Sequence, residues 1–144
     1  MSLRIFYDSV KPEIKKRRNL IKFINKVIRE EGRIPGDLNF IFTDDNSLLE
    51  INKEFLQHNY FTDVITFSEN SERILNGEVY MSIDRIRENA EKYKTEIKEE
   101  ILRVVIHGVL HLCGYDDKSA NEKIKMRWLE NKYLKMFKVE KYEF

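Results

Sequence analysis

The sequence has few of the residues that cross-link or interrupt a chain. Its 144 residues include one cysteine, Cys113, two prolines and five glycines. A single cysteine excludes an internal disulfide, and unpaired cysteines are typical of reducing compartments, so we expect a cytoplasmic protein. The shortage of proline and glycine leaves little room for flexible linkers. We therefore expect one domain spanning residues 1–144, long enough to bury a core of its own.

Long apolar runs are also missing. No stretch approaches the ~18–20 residues that a membrane-spanning helix needs. The opening residues, MSLRIFYDSV, lack the apolar segment of a secretory signal. With 42% apolar and 12% aromatic residues, the composition is that of a globular protein and not of a disordered one. We expect a monomer without a membrane partner.

The net charge of +1 hides an uneven distribution. Basic residues outnumber acidic ones in residues 1–36 and 118–144, whereas acidic residues dominate residues 37–117. One interpretation is that these charges lie on ordinary solvated helix faces. The other is that an acidic centre able to bind a metal ion is flanked by basic surfaces that bind a polyanion. Candidate phosphate contacts are Lys15, Lys16, Arg17 and Arg18. A solvated helix face explains this basic run equally well.

Hydrophobic periodicity predicts alternating strands and helices. Strands are predicted at residues 3–8, 36–45, 61–69 and 76–83, the last two as a hairpin or a neighbouring pair. Helices are predicted at residues 13–32, 46–57, 84–93, 95–113 and 119–137. Asp45 or Asn46 is expected to cap the second helix, and Ser119 with Glu122 forms a capping box for the last one. The pattern predicts one α+β domain, with helices packed on a four-stranded mixed sheet.

The three histidines carry the strongest functional signal. His107 and His111 lie four residues apart in VVIHGVLHLCGYDDKS (104–119), so both imidazoles share one face of the central helix. Two nitrogens at that spacing can reach one cation at about 2.0–2.1 Å. Gly114 supplies the left-handed residue that ends the helix and reverses the chain. Asp117 can then return as the third ligand, with its neighbour Asp116 as the rival for that place.

This spacing follows the zinc-protease frame H-x-x-x-H-x-x-G-x-x-H/D. Such proteases carry a glutamate as general base directly after the first histidine, and here Gly108 stands in that position. A metal centre at the end of the helix is therefore predicted, without the proteolytic base. Cys113 is expected to be buried packing. His58 is expected in a loop, either near the site or on the surface.

The segment HGVLHLCGYDD closely resembles the metal-binding signature of the YbeY family of bacterial endoribonucleases and rRNA maturation factors. FTDVITFS (61–68) and NGEVYMSI (76–83) are similar to two further blocks of that family. The resemblance covers residues 38–137. It implies a single α+β domain, one divalent ion, expected to be Zn²⁺, and metal ligands at His107, His111 and Asp117. It also implies a role in 16S rRNA 3′-end processing and ribosome quality control, with rRNA and the small ribosomal subunit as partners.

Two departures from the family pattern bear on that expectation. Asp117 replaces the usual third histidine, which lowers the charge of the site by one and should acidify a metal-bound water less. Leu56 stands where many members carry an arginine thought to assist catalysis, and Asn59 and Phe61 replace the usual acid and proline. The arginine's role therefore has no counterpart at position 56.

The leading hypothesis is a metal-dependent endoribonuclease that hydrolyses single-stranded RNA with a zinc-activated water. His58, Asp116 and the activated solvent itself are the candidates for the general base. A second hypothesis is a non-catalytic ribosome-assembly factor, in which the metal merely staples the helix to the following loop. A third is a zinc-dependent peptidase, against which Gly108 weighs.

Overall fold

The computed structural model describes residues 2–144, which form an α+β domain of four strands and five helices. Strand and helix alternate in the first half of the chain, and three consecutive helices close the second half. The strands are β1 (Leu3–Tyr7), β2 (Ile34–Thr43), β3 (Val64–Ser68) and β4 (Ile74–Ser82). The helices are α1 (Arg17–Glu30), α2 (Asp45–Leu56), α3 (Ile83–Tyr93), α4 (Ile97–Leu112) and α5 (Ala120–Val139).

The four strands form one mixed sheet in the order β1-β2-β4-β3. β1 and β4 both pair with β2 in parallel, and β3 pairs with β4 antiparallel, so the prediction of a neighbouring pair for the last two strands is confirmed. Along β2 the buried side chains of Leu38, Phe40 and Phe42 alternate with partly exposed ones, as expected for a strand with one face on the core.

Helix α4 is the centre of the domain. It contacts β3 and β4 of the sheet as well as α1, α3 and α5. Ten of its sixteen residues are buried, which explains why its sequence is apolar on nearly every side. A polar group in α4 therefore has to find a partner within the protein or face a cleft. Among residues 2–144, no helix has both the length and the apolar character needed to cross a membrane.

Three local predictions are wrong by one to four residues. β3 begins at Val64 and not at residue 61, and the other two concern α1 and α2. α1 begins at Arg17, not at residue 13, and no side chain caps it. Cations next to a helix N-terminus oppose the helix dipole, so the basic run at this end does not favour an earlier start. The cap of α2 is Asp44, whose carboxylate accepts a hydrogen bond from the Ser47 amide at 2.7 Å. Asp45 instead accepts hydrogen bonds from Arg85.

Candidate metal centre and adjoining clefts

Three side chains converge at the C-terminal end of α4. The Nε2 atoms of His107 and His111 lie 2.9 Å apart, and Oδ2 of Asp117 lies 3.2 Å from the first and 3.7 Å from the second. These atoms form the only group of three or more candidate ligands found within residues 2–144. A tetrahedral zinc site with bonds of about 2.0–2.1 Å separates its ligand atoms by about 3.3 Å. The observed distances bracket that value, so these residues can hold a metal ion.

The hydrogen bonds of the two imidazoles leave both Nε2 atoms available for a cation. Nδ1 of His111 lies 2.9 Å from the carbonyl oxygen of Tyr115 and must donate, because a carbonyl only accepts. Nδ1 of His107 lies 2.7 Å from Oε2 of Glu130 and donates to that carboxylate. In the neutral rings both Nε2 atoms then carry lone pairs that face each other. A proton or a metal ion is needed between them, and that requirement fits the ligand set.

Glu130 is a site residue that sequence reasoning missed. This buried glutamate of α5 accepts from His107 through one oxygen and from Nη1 of Arg103 through the other, at 3.0 Å. Such a carboxylate–histidine pair orients a metal ligand and raises its basicity. The signal was present in the sequence: Glu130 lies on the apolar face of α5 beside Leu129 and Tyr133, where an unpaired acid would be costly.

Charge partners change the pKa values of the two ligating histidines in opposite directions. Burial disfavours the charged form of His107, but the hydrogen bond and charge of Glu130 prevail and raise the pKa of His107 above its usual value. Burial and the nearby charge of His107 lower the pKa of His111. Burial opposes ionisation of Glu130 as well, yet His107 and Arg103 hold its pKa below the usual range. As the pH falls, His107 is therefore the first of the two imidazoles to bind a proton.

The turn after α4 is held from several distant elements. Gly114 has φ 102°, the left-handed conformation that the sequence predicted there. Arg33 donates to the Cys113 carbonyl and Asn70 to the Leu112 carbonyl, each at 2.8 Å, so two last-turn acceptors are satisfied. The Tyr115 hydroxyl donates to Glu31 at 2.7 Å. This anchor fixes the residue whose carbonyl orients His111. Cys113 is buried, as expected, and burial raises the pKa of its thiol to about 11.

Asp63 is the second site residue that was not predicted. It lies directly before β3, and its backbone carbonyl accepts from the Ser82 amide at 3.0 Å. Burial raises the pKa of its carboxyl group, and the charge of His107 acts in the opposite direction. The segment FTDVITFS contains this residue, so the family resemblance offered a signal for it. The site thus has a further carboxyl group near His107 that is not one of the three candidate ligands.

Two clefts meet at the metal-ligand cluster. One, of about 330 Å³, is lined by His107 together with residues of α3, α4 and α5. The other, of about 230 Å³, is lined by His107, Asp117 and residues of α5. Both are bordered by Arg127 and Glu130. A larger cleft of about 510 Å³ lies elsewhere, against the C-terminal residues, and none of the three candidate ligands borders it. The candidate metal site therefore opens to the two smaller clefts.

The two candidates for the general base lie outside the converging group. His58 follows α2 in an exposed loop, where its ring stacks on Tyr60 and its Nδ1 lies 2.9 Å from the Tyr60 hydroxyl. Asp116 is exposed, and Asp117, not Asp116, supplies the third converging oxygen. The predicted capping box of Ser119 and Glu122 is confirmed, so α5 is capped without Asp117. A catalytic role for His58 or Asp116 stays a prediction.

The basic run at the start of α1 is exposed but borders a different part of the surface. Lys15 and Lys16 line the larger cleft, and Lys16 pairs with Glu143 at 3.1 Å. The Arg17 guanidinium lies 4.7 Å from the ring centroid of Tyr7. Arg18 is exposed on the first turn of the helix. RNA binding by these four residues stays a prediction.

Gly108 lies where α4 packs most closely against the sheet. A Cβ atom at this position would be 2.6 Å from Cγ1 of Val79, which is fully buried in β4. A glutamate, the general base of zinc proteases at the corresponding position, could be accommodated only if Val79 or the surrounding backbone shifted. The position therefore serves helix–sheet packing.

Comparison with known proteins identifies relatives along nearly the whole chain. The family model described as endoribonuclease YbeY matches residues 6–138. A Flavobacterium psychrophilum protein named endoribonuclease YbeY is 46% identical over 127 residues, covering 88% of this chain and 91% of that protein. A Parabacteroides distasonis protein of the same name is 36% identical over 134 residues, covering 93% and 94%.

A solved structure supports the fold independently. The solution structure of a Thermotoga maritima protein superposes with a TM-score of 0.65 at 30% sequence identity. The match covers 92% of this chain and 87% of that one. The α+β architecture predicted from the sequence is thus confirmed both by the strand order and by a related solved structure.

Proposed function

This chain belongs to the YbeY endoribonuclease family, and from that premise we propose that it is a metal-dependent endoribonuclease that hydrolyses single-stranded RNA. The proposal assigns Zn²⁺ to the site formed by His107, His111 and Asp117. The observation that carries it is the convergence of the two imidazole Nε2 atoms and one carboxylate oxygen beside two open clefts. Two histidines and one carboxylate form a ligand set used by catalytic zinc sites.

A divalent ion held there would polarise the scissile phosphodiester and lower the pKa of the attacking water. The chain's own residues prepare the site for it. Glu130 and the Tyr115 carbonyl fix the two imidazole rings, so little ordering remains when the ion binds. The side chains of His107, His111 and Asp117 are 19%, 20% and 39% exposed, which leaves the cluster accessible to a substrate strand.

We place this activity in rRNA maturation, at the 3′ end of 16S rRNA, with the small ribosomal subunit as partner and the cytoplasm as location. The family name supports an RNA substrate. The basic residues that flank the acidic middle of the sequence support a polyanionic partner. The single, buried cysteine is compatible with a reducing compartment.

The direct test is cleavage of labelled single-stranded rRNA fragments by the purified full chain. We expect cleavage with Zn²⁺, loss of cleavage with a chelator, and loss in His111→Ala. The same assay with His58→Ala and Asp116→Asn tests the two candidates for the general base. Cleavage that survives both the chelator and this substitution would refute the metal-dependent mechanism.

A further inference from the structure

The 330 Å³ cleft beside His107 contains groups that metal binding does not use. It lies between α3, α4 and α5 and is bordered by Asn89, Tyr93 and Arg127 as well as by the ligand His107. Its volume is at the lower end of the range for small-molecule sites, about 300–1,000 Å³. That size suits a single nucleotide and is far too small for a helix of paired bases.

Tyr93 supplies an aromatic face at the rim of this cleft. It is the last residue of α3, its side chain is 59% exposed, and Nζ of Lys92 lies 5.3 Å from its ring centroid. Asn89 lies four residues earlier, on the same side of the helix, so its amide borders the same cleft. An aromatic ring stacks on any base, and an amide can both donate to and accept from a base edge.

Arg127 supplies an available cation where the two clefts meet. It is exposed on α5 and borders both clefts, and within residues 2–144 it forms no ion pair with an acid. Arg103, by contrast, is engaged by Glu130. Lys123 borders the second cleft, which Asp117 also lines. Arg127 and Lys123 are thus two cations on the surface beside the candidate ligands. The spacing of basic groups along one surface is typical of a site for a phosphate backbone.

Two of the three acids that border the cleft already accept hydrogen bonds from neighbouring side chains. Glu100 accepts a hydrogen bond from the Thr95 hydroxyl at 2.9 Å, and Glu130 is paired with Arg103 and His107. The charge of Glu130 is offset by Arg103, and Arg127 remains available to a phosphate at the border of the cleft.

We propose that this cleft binds one nucleotide of the RNA strand, next to the phosphodiester at the metal-ligand cluster. The base stacks on Tyr93 with its edge at Asn89, and Arg127 binds the adjoining phosphate. This inference rests on the proposed function, and it supplies a physical reason for single-strand specificity. A base inside a duplex is covered on both faces by its neighbours and cannot enter the cleft.

Binding can be measured apart from cleavage. The probe is a fluorescein-labelled, 2′-O-methylated RNA hexamer, and the fluorescence anisotropy is recorded with the full chain in the presence of EDTA. We expect Tyr93→Ala to weaken binding by about fivefold or more, since stacking is lost, and Tyr93→Phe to bind like the wild type. In Arg127→Ala, the slope of log K against the logarithm of the salt concentration should become shallower by about 0.7, the contribution of one phosphate contact on a single strand.

The control variants remove the same kinds of side chain, an exposed aromatic ring and an exposed arginine, at positions that do not border the cleft. Trp128 is 60% exposed with Nζ of Lys125 5.9 Å from its ring centroid, an arrangement like that of Tyr93, and Arg87 is an exposed arginine of α3. Neither borders the cleft, so Trp128→Ala and Arg87→Ala should bind like the wild type. Circular dichroism of each variant verifies folding.

Two results separate this inference from the proposed function. Wild-type affinity in both Tyr93→Ala and Arg127→Ala, with chelator-sensitive cleavage by the wild type, would overturn the nucleotide cleft and leave the endoribonuclease in place. Binding that depends on Tyr93 and Arg127, without any RNA cleavage by the zinc-loaded wild type, would support the cleft and refute the proposed activity.

Discussion

Glu130 determines how His107 is presented to a metal ion. Its two oxygens accept from His107 and Arg103, so the carboxylate is buried without being left unpaired. The pair keeps the proton of His107 on Nδ1 and directs Nε2 toward His111 and Asp117. A neighbouring carboxylate also makes the imidazole a stronger base and a stronger ligand. We therefore expect the affinity for a metal ion to depend on Glu130, which is not one of the candidate ligands.

Glu130→Gln tests this role without removing much volume. The amide can still contact His107, but it carries no charge, so we expect zinc affinity to fall by about 10–100-fold. Competition with a chromophoric chelator measures the change. Glu99→Gln is the matched control, because Glu99 pairs with Lys138 away from the cluster. Equal zinc affinity in the wild type and Glu130→Gln would contradict the assigned role.

Zinc affinity should also depend on pH through His107. Burial favours the neutral ring, but Glu130 outweighs it and raises the pKa of His107, so a proton competes with the metal up to a higher pH than at an ordinary histidine. Affinity is therefore expected to fall as the pH drops through this raised pKa and to level off above it. The decline should move to lower pH in Glu130→Gln. Zinc titrations between about pH 6 and about pH 8 measure this dependence; a flat profile would contradict it.

Helix α4 fulfils two requirements at once, close packing on the sheet and presentation of two ligands. Gly108 allows the helix to approach Val79 of β4. His107 and His111 lie on the side of the same helix that faces the clefts. Side chains from outside the helix, Arg33 and Asn70, satisfy carbonyls of its last turn. The position of the two imidazoles relative to the sheet thus depends on a glycine next to the first of them.

Gly108→Ala should destabilise the protein despite the better helix propensity of alanine. The new Cβ would lie 2.6 Å from Cγ1 of Val79. Overpacking costs about 1–3 kcal/mol, which the gain of about 1 kcal/mol in helix propensity offsets only partly. We expect a net loss of about 1 kcal/mol in the free energy of unfolding, measured in urea. The double variant Gly108→Ala/Val79→Ala should lose less stability than the sum of the losses in the two single variants, because the smaller side chain at position 79 relieves the clash. If the two losses simply add, the contact between positions 108 and 79 is contradicted.

At the scale of the whole molecule, the site is assembled from elements that are far apart in the sequence. α4 supplies two candidate ligands, the following loop supplies the third, and α5 supplies Glu130. Glu31, at the end of α1, binds the hydroxyls of Tyr115 and Tyr133 and so connects that loop to α5. A metal ion would therefore join α4 to the loop, and metal binding and the stability of the domain should be coupled.

Zinc should raise the melting temperature, measured by calorimetry or circular dichroism. A ligand that binds only the folded state at 1,000 times its Kd adds about 4 kcal/mol, which for this size corresponds to on the order of 10 °C. His111→Ala should abolish most of the shift. A purely stapling metal would give the same shift with no RNA cleavage, and folded ligand variants would still bind small ribosomal subunits. That combination would favour the assembly-factor hypothesis over the enzyme.

The features that depend on residues close in sequence could be predicted from the sequence. The four strands and five helices, the capping box, the glycine turn after α4 and the convergence of His107, His111 and Asp117 follow from periodicities and spacings within about 20 residues. The start of α1 and the cap of α2 were missed by a few residues, because several neighbouring polar side chains compete for such positions.

Only the tertiary structure revealed the partners that make the site work. Glu130 reaches His107 across 23 residues of sequence, and Arg33 reaches the end of α4 across 80. The nucleotide-sized cleft depends on how α3, α4 and α5 pack together. Such contacts leave no periodic signal in the chain, because which distant side chains meet is decided by the packing of the whole core. Local spacing therefore determined which atoms could bind a metal, and tertiary packing decided how those atoms are oriented and what lies next to them.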